Sequence, residues 1–463
     1  MEINGGKGRM TVYRMFILAV VVMVAYQWMW LSFRTEETAP ENETQEEVSM
    51  IETCTQAEII YPEPEVGLEM IPKPVPADIT GQGIRMGNRM MELLAQKKGP
   101  PVPDYVQEEA ERAVEKIQGH LAQESIVFAF LSDAHCGFYL DPENAAVELA
   151  GQLLNTIGDQ VDYAFIANGG DMSTGAWNTT QELAAEHIEI CEELLALDEQ
   201  DAPSVWTPGN HDDAPYRATD ERLGQKTLSD LIGEKNRASG VVSPEGCCYG
   251  YLDLEEYSLR VIILDTDDKR DWGSKSVGAG EPGPAYLNAH NIGADQLIWL
   301  AGTALDFSGK ESPGSWKIVV VSHVPLNISG WFSDSVTGKG YIHSTANGAE
   351  ILAAYKNGKA GSVVYNGQRI EYDFSDDPGR AEIICLVHGH EHKFIHRNIN
   401  GLLSVGCPNV MNGRERSSED GVVYSKTPGT GSGTSFCIFT VDTQERKIYV
   451  DAVGAGYDRV FSY

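Results

Sequence analysis

The chain has 463 residues, 42% of them hydrophobic, which is enough for one large domain or two to three ordinary ones with a sizeable core. Against 35 basic residues stand 68 acidic ones, and the formal charge of -33 works against non-specific binding to nucleic acid or to anionic lipid surfaces. An anionic substrate would have to be drawn in by something locally positive, and bound metal cations can provide that on an acidic protein. The eight cysteines contain no CxxC, so a zinc ribbon or thioredoxin-type motif is unsupported and the thiols read as mostly reduced and structural.

In chain order, the first feature is the apolar stretch Met15 to Phe33, interrupted by Gln27. It is long enough to span a membrane and exceeds the ~7 to 15 residues of a usual signal-peptide core. Lys7, Arg9 and Arg14 precede it, so the positive-inside rule predicts a cytoplasmic N-terminus and an exported remainder. The expectation is a single-pass transmembrane signal anchor over residues 1–34, with secretion after signal cleavage as the alternative. Residues 35–103 are acidic and punctuated by proline, and read as a stalk. A domain over residues 104–463 follows. It opens with Val106, Ala110, Val114, Ile117 and Leu121 at the spacing of an amphipathic helix.

Beyond it, short apolar runs each end in polar residues. Ile126 to Leu131 ends at Ser132-Asp133-Ala134-His135, and Tyr163 to Ala167 at Asn168-Gly169-Gly170-Asp171. Ala202 to Trp206 leads into Thr207-Pro208-Gly209-Asn210-His211-Asp212-Asp213. Ile318 to Val321 ends at Ser322-His323, and Ile383 to Val387 at His388-Gly389-His390-Glu391-His392. Continuous apolar character predicts strands buried on both faces. Helical patterns at Ala145 to Ile157 and Gln181 to Leu197 lie between them, so the order is α/β, with chemistry expected beyond the carboxyl ends of the strands. Two hairpins, Tyr249 to Leu264 and Ser435 to Val453, read as belonging to a second sheet. Asp267 to His290 and Asn327 to Asn347 read as long binding loops.

Alone, each strand-end Asp is a turn former and each His a surface or core residue. Together, Asp133, His135, Asp171, Asn210, His211, His323, His390 and His392 bring carboxylates, imidazoles and an amide to five strand ends. This mixture suits first-row metals rather than calcium or magnesium alone. Other candidates are weaker. Gly278 to Gly283 fits GxGxxG but lies in a polar loop with Pro282, and Asp265 to Asp271 has Arg270 where an EF-hand requires glycine. Cys136 reads as a packing residue, His388 and His396 as structural or surface histidines, and Arg217 and His343 as loop residues that face the substrate only on weak grounds.

Asp133-x-His135, Gly170-Asp171, Gly209-Asn210-His211-Asp212, His323 and Gly389-His390-x-His392 resemble, in order, the five-block signature of the calcineurin-like metallophosphoesterases. The resemblance implies a four-layer α/β/β/α sandwich with two mixed sheets. It implies that Asp133, His135, Asp171 and His392 bind one metal, and Asp171, Asn210, His323 and His390 the other, with Asp171 bridging. The two ions would be divalent or trivalent manganese, iron or zinc. His211 would sit by the phosphate, and Asp212 would either orient an imidazole or shape the turn. The expected reaction is hydrolysis of a phosphomonoester or phosphodiester by a metal-bound hydroxide, on a membrane-anchored enzyme facing away from the cytoplasm. Purple acid phosphatases, with a tyrosine ligand and no histidine in the first block, fit less well. The rival of another class is a catalytically inactive, membrane-tethered binding protein with the same fold.

Overall fold

The strand Ser125–Leu131 (β1) has no polar face: every residue after Ser125 is buried. Such a strand needs a packed layer on each side. The computed structural model describes residues 102–463 apart from 139–140, 142, 177, 198–200, 216–221, 269–289, 334–339, 377–378, 413–415 and 419–420. The proposed membrane span and nearly all of the stalk lie outside the described residues, as do Arg217, Arg270 and the GxGxxG stretch. Among the described residues no helix is long and apolar enough to cross a membrane.

Helix α1 (Asp104–His120) precedes β1, and α2 (Ala145–Gly158), β2 (Phe165–Asn168), α3 (Gln181–Leu195), β3 (Ser204–Trp206) and α4 (Gln225–Ala238) follow. A hairpin of β4 (Gly250–Leu254) and β5 (Leu259–Leu264) leads to α5 (Ala294–Trp299), a π-helical turn at Leu300–Ala304 and β6 (Lys317–Ser322). Next come β7 (Ser329–Ser333), β8 (Gly340–Ser344), α6 (Ala346–Lys356), β9 (Ala360–Tyr365), β10 (Gln368–Asp373), β11 (Glu382–His388), β12 (Ile395–Ile399) and β13 (Leu402–Gly406). The chain closes with β14 (Arg416–Ser417), β15 (Val423–Tyr424), β16 (Ser435–Asp442), β17 (Lys447–Gly454) and β18 (Arg459–Ser462).

Two six-stranded mixed sheets result. The first runs β18-β17-β16-β1-β2-β3, with β1, β2 and β3 parallel and the other pairings antiparallel. The second runs β12-β13-β11-β6-β5-β4, parallel from β13 to β5 and antiparallel at both edges. The twofold period of a strand divides its side chains between two cores. Val127, Ala129 and Leu131 face a core shared with α1, α2 and α3 through Val106, Leu153 and Ile188. Phe128 and Phe130 turn instead to the core between the sheets, with Val261, Ile263, Val319, Val321 and Val387. There Phe128 stacks between Phe165 and Phe439 at 4.6 Å on each side. Each ring is fully buried and contributes about 1.5–3 kcal/mol by leaving water. A third core lies under α5 and α6, where Leu297, Leu352 and Tyr355 cover Ile262, Leu264, Ile318 and Val320.

Two expectations change. The hairpins were both assigned to a second sheet, but only β4–β5 lies there; β16–β17 pairs with β1 in the first. Because central strands of both sheets are buried on both faces, as β16 is, burial pattern carries no information on which sheet β16 joins. Helix α1 stops at His120, and Leu121 is extended and 47% exposed rather than part of the apolar face.

Candidate metal centre

The loops leaving β1, β2, β3, β6 and β11 converge. Their backbone is unusual: of thirteen non-glycine residues with positive φ among the described residues, five are Asp133, His135, Asp171, His390 and His392. The left-handed region costs an ordinary side chain about 1 kcal/mol or more, and such outliers persist only where surrounding contacts fix them. Here the turns aim consecutive polar side chains inward. Space is equally restricted. A Cβ at Gly209 would collide with the Asp171 carboxylate, and one at Gly389 with Ser132 Oγ and the Asp133 carboxylate. These contacts explain the glycines in both blocks.

The seven expected ligands come together. Asp133, His135, Asp171 and His392 form one group, and Asp171, His323 and His390 a second, the ligand atoms of each group lying within 4.8 Å of one another. In the first, His392 Nε2 is 3.0 Å from Asp133 Oδ1, His135 Nε2 3.3 Å from His392 Nε2, and His135 Nε2 3.6 Å from Asp171 Oδ2. In the second, His323 Nε2 is 3.2 Å from Asp171 Oδ2 and 2.9 Å from Asn210 Oδ1, which lies 3.0 Å from His390 Nδ1. Ligands held at 2.0–2.2 Å around a tetrahedral ion are about 3.4 Å apart, so these spacings fit coordination. Asp171 Oδ2 belongs to both groups, while its Oδ1 accepts from the His211 backbone N–H at 2.8 Å.

Donor chemistry also fits cations. His323 Nδ1 donates to the Gly169 carbonyl at 2.8 Å, which turns its Nε2 towards oxygens of Asp171 and Asn210. Neutral His323 would there present a lone pair to acceptors only, and a positive charge is needed among them. Without a metal a proton supplies it: burial opposes the imidazolium, but Asp171, Asp133 and Asp267 outweigh burial and lift His323 to about 10. Burial pushes His135 down to about 3 and His390 well below the usual histidine range, leaving both as neutral imidazoles of the kind that ligate metals. Burial also disfavours the carboxylates, yet His392 holds Asp133, and His323 with His211 holds Asp171, below the usual range.

His211 stands beside the ligands rather than among them. Its Nδ1 donates to the Thr174 carbonyl at 2.8 Å, and its partly exposed ring meets His135 edge-on at 4.8 Å. Asp212 does not orient an imidazole. Its carboxylate accepts the backbone N–H groups of Asp171 (3.0 Å), Ser173 (2.9 Å) and Gly209 (2.8 Å), tying the second block to the third. Burial and the Asp171 charge raise it to about 7 against the bonds from Ser173 and Gly209. The turn-shaping alternative for Asp212 is the one the geometry favours. Cys136 is fully buried in the helix-side core, a packing position.

Three features here were not anticipated from sequence. Glu391, between His390 and His392, is clamped by Arg397 of β12 through two bonds of 2.6 and 2.8 Å. Asp267 pairs with His290 at 3.2 Å, next to His390. Buried Lys426 donates to the carbonyl of Met411, whose own N–H bonds the Asp133 carbonyl. A lone Glu, a loop-end His and a distant Lys carry no pattern, and their partners are adjacent only in the fold.

The calcineurin-like phosphoesterase profile matches residues 126–394. No curated protein matches the chain. Among solved structures, one provisionally described as a 5'-nucleotidase from Staphylococcus aureus is 13% identical over 73% of this chain, with a TM-score of 0.32. The chain spans about half of that protein's length (54%). A conserved uncharacterised protein of Streptococcus pneumoniae, a predicted phosphoesterase, is 9% identical over 74% of this chain and 100% of its own, with a TM-score of 0.25. The phosphopantetheinyl hydrolase of Mycobacterium tuberculosis is 15% identical over 62% of this chain and 92% of its own, with a TM-score of 0.28. Likenesses of this size carry no functional weight.

Proposed function

This chain belongs to the calcineurin-like phosphoesterase family, and on that premise we propose that it hydrolyses a phosphomonoester or phosphodiester at a centre holding two metal ions. The observation that carries the proposal is Asp171 Oδ2, a single carboxylate oxygen placed between His135 at 3.6 Å and His323 at 3.2 Å. Asp133, His135, Asp171 and His392 hold one ion in this reading, and Asp171, Asn210, His323 and His390 the other. Bound ions of this kind lower the pKa of a water molecule and polarise a phosphoryl oxygen. The chain's own groups do the rest. His211, with Nδ1 fixed by Thr174, can turn Nε2 to the phosphate and give a proton or positive charge to the departing alkoxide. Asp212 keeps the second and third blocks in register.

The three cores support a four-layer α/β/β/α sandwich. Residues 1–34 are proposed as cytoplasmic tail and signal anchor, 35–103 as stalk and 104–463 as catalytic domain, on the charge asymmetry about Met15 to Phe33. The substrate would then be met outside the cytoplasm, and its identity would be read by Asp267 to His290 and Asn327 to Asn347. Elemental analysis of the purified chain, with an assay on aryl phosphate mono- and diesters, tests the catalytic reading. Two metals per chain with turnover are expected; a metal-free, inactive protein would replace it with the tethered binding protein. The mass of the mature N-terminus tests the anchor.

A further inference from the structure

The two groups of candidate ligands are unequally charged. Asp133 and Asp171 both serve the group with His135 and His392, whereas the group with His323 and His390 has only the shared Asp171 and the neutral amide of Asn210. A third carboxylate stands directly behind the poorer group. Asp267 follows β5, and its Oδ1 is 3.2 Å from His290 Nδ1, both residues being almost wholly buried. The His290 ring meets that of His390 at 4.7 Å with the planes at 77°, and His390 meets His323 at 5.2 Å and 76° on another side. Backbone bonds lock this arrangement: Asn291 N donates to Thr266 O at 2.6 Å and Asp268 N to Asn291 O at 3.1 Å, while Thr266 Oγ1 accepts from Val324 N at 3.0 Å, beside His323.

We infer that Asp267 and His290 form a positioning pair for His390, which supplies the charge this half of the centre lacks and sets the affinity of one metal ion but not of the other. The inference rests on the two-metal reading above. A carboxylate that accepts an imidazole N–H fixes the ring and polarises it, and its charge is felt strongly across a few ångströms of buried protein. Neither residue belongs to either group of ligand atoms: His290 acts through His390, whose rotation it limits while Asn210 lies on its Nδ1, and Asp267 acts through its bond to His290 and through its charge.

The experiment is a calorimetric titration of the metal-stripped full chain with manganese(II), for the wild type, Asp267→Asn and His290→Phe. The phenylalanine keeps a ring against His390 while breaking the bond to Asp267, and thermal melts of both variants guard against simple loss of folding. Wild type should bind two equivalents. In both variants one equivalent should weaken about tenfold while the other is unchanged, and the manganese concentration for half-maximal activity should rise to match. The inference is overturned if both equivalents keep wild-type affinity, if they weaken together, or if only one variant shows the effect. A wild-type chain that takes up one ion or none would instead sink the two-metal reading itself.

Discussion

The two sheets equip the centre in opposite ways. The ends of β1, β2 and β3 in the first sheet deliver both carboxylates and the amide, Asp133, Asp171 and Asn210, with His135 as their single imidazole ligand. The ends of β6 and β11 in the second deliver imidazoles alone, His323, His390 and His392. Negative charge comes from one layer and imidazole nitrogen chiefly from the other, so neither sheet carries a full ligand set by itself. The difference teaches that cation binding here is a contact between layers, which stabilises the folded chain by mass action as well as serving chemistry.

The comparison breaks most completely at Asp171, the one side chain in both groups. Asp171→Ala should abolish binding of both metals and lower turnover by at least about 10³-fold, read by elemental analysis alongside aryl phosphate hydrolysis. His211→Ala separates chemistry from ligation: turnover should fall by about 10²–10⁴ on a substrate with a poor leaving group, with metal content near normal. Full activity on such a substrate would remove His211 from the proposed acid role. Arg397→Ala strikes the imidazole layer indirectly. It strands the buried Glu391 between two ligands, and denaturant unfolding should detect a loss of about 3 kcal/mol, partly restored in Arg397→Lys.

Proton competition sharpens the same contrast. His323 is raised to about 10 in the metal-free centre, above its ordinary 6.5, so its contribution to stability is full below about 6.5 and is lost as pH rises through 10. A metal must displace that proton, and apparent affinity at this half should climb by about tenfold per pH unit between 7 and 9, checked by titration in several buffers. The smallest effect is expected at Asp265, just past β5, which burial, Asp268 and Asp267 raise to about 8. With an unfolded value near 3.8, its contribution is lost as pH rises through 8. Asp265→Asn should therefore flatten the decline in melting temperature between about pH 4 and 8 and leave the slope above 8 unchanged.

Much of this is legible in the amino-acid order alone, for reasons that differ by region. Strands such as Ile126 to Leu131 announce themselves because burial on both faces leaves no polar residue in the run, and a metal site needs titratable groups at the points where those runs stop. Asp133, His135, Asp171, Asn210, His211, His323, His390 and His392 can thus be picked out by position and type, while the family resemblance divides them into ligands and a phosphate-side histidine. The sheet to which β16 belongs could not, because a strand buried along its whole length, Ser435, Thr440 and Asp442 included, fits beside β1 or beside β6 equally well. Nor could the Glu391–Arg397 clamp or the Asp267–His290 pair, since each depends on a fold-level approach of residues with no shared motif. Helix α4 and helix α6 were also missed. Helix α4 buries Ser229, Gly233 and Asn236 beside Leu228 and Ile232, so small and polar residues share its inner face, and α6, with Ala346, Ala349 and Ala353, lacks a strong apolar stripe.

The pairing of β1 with β16 joins residue 125 to residue 442. During synthesis the strand that leads to Asp133 emerges among the first, yet one of its two hydrogen-bonding edges stays open until the last hairpin has been made. Long-range pairing of this kind is slow, and an open apolar edge is a template for association with other chains. Closing the first sheet therefore depends on residues 435–454: a chain without them would hold every expected ligand and still leave β1 with one edge unpaired.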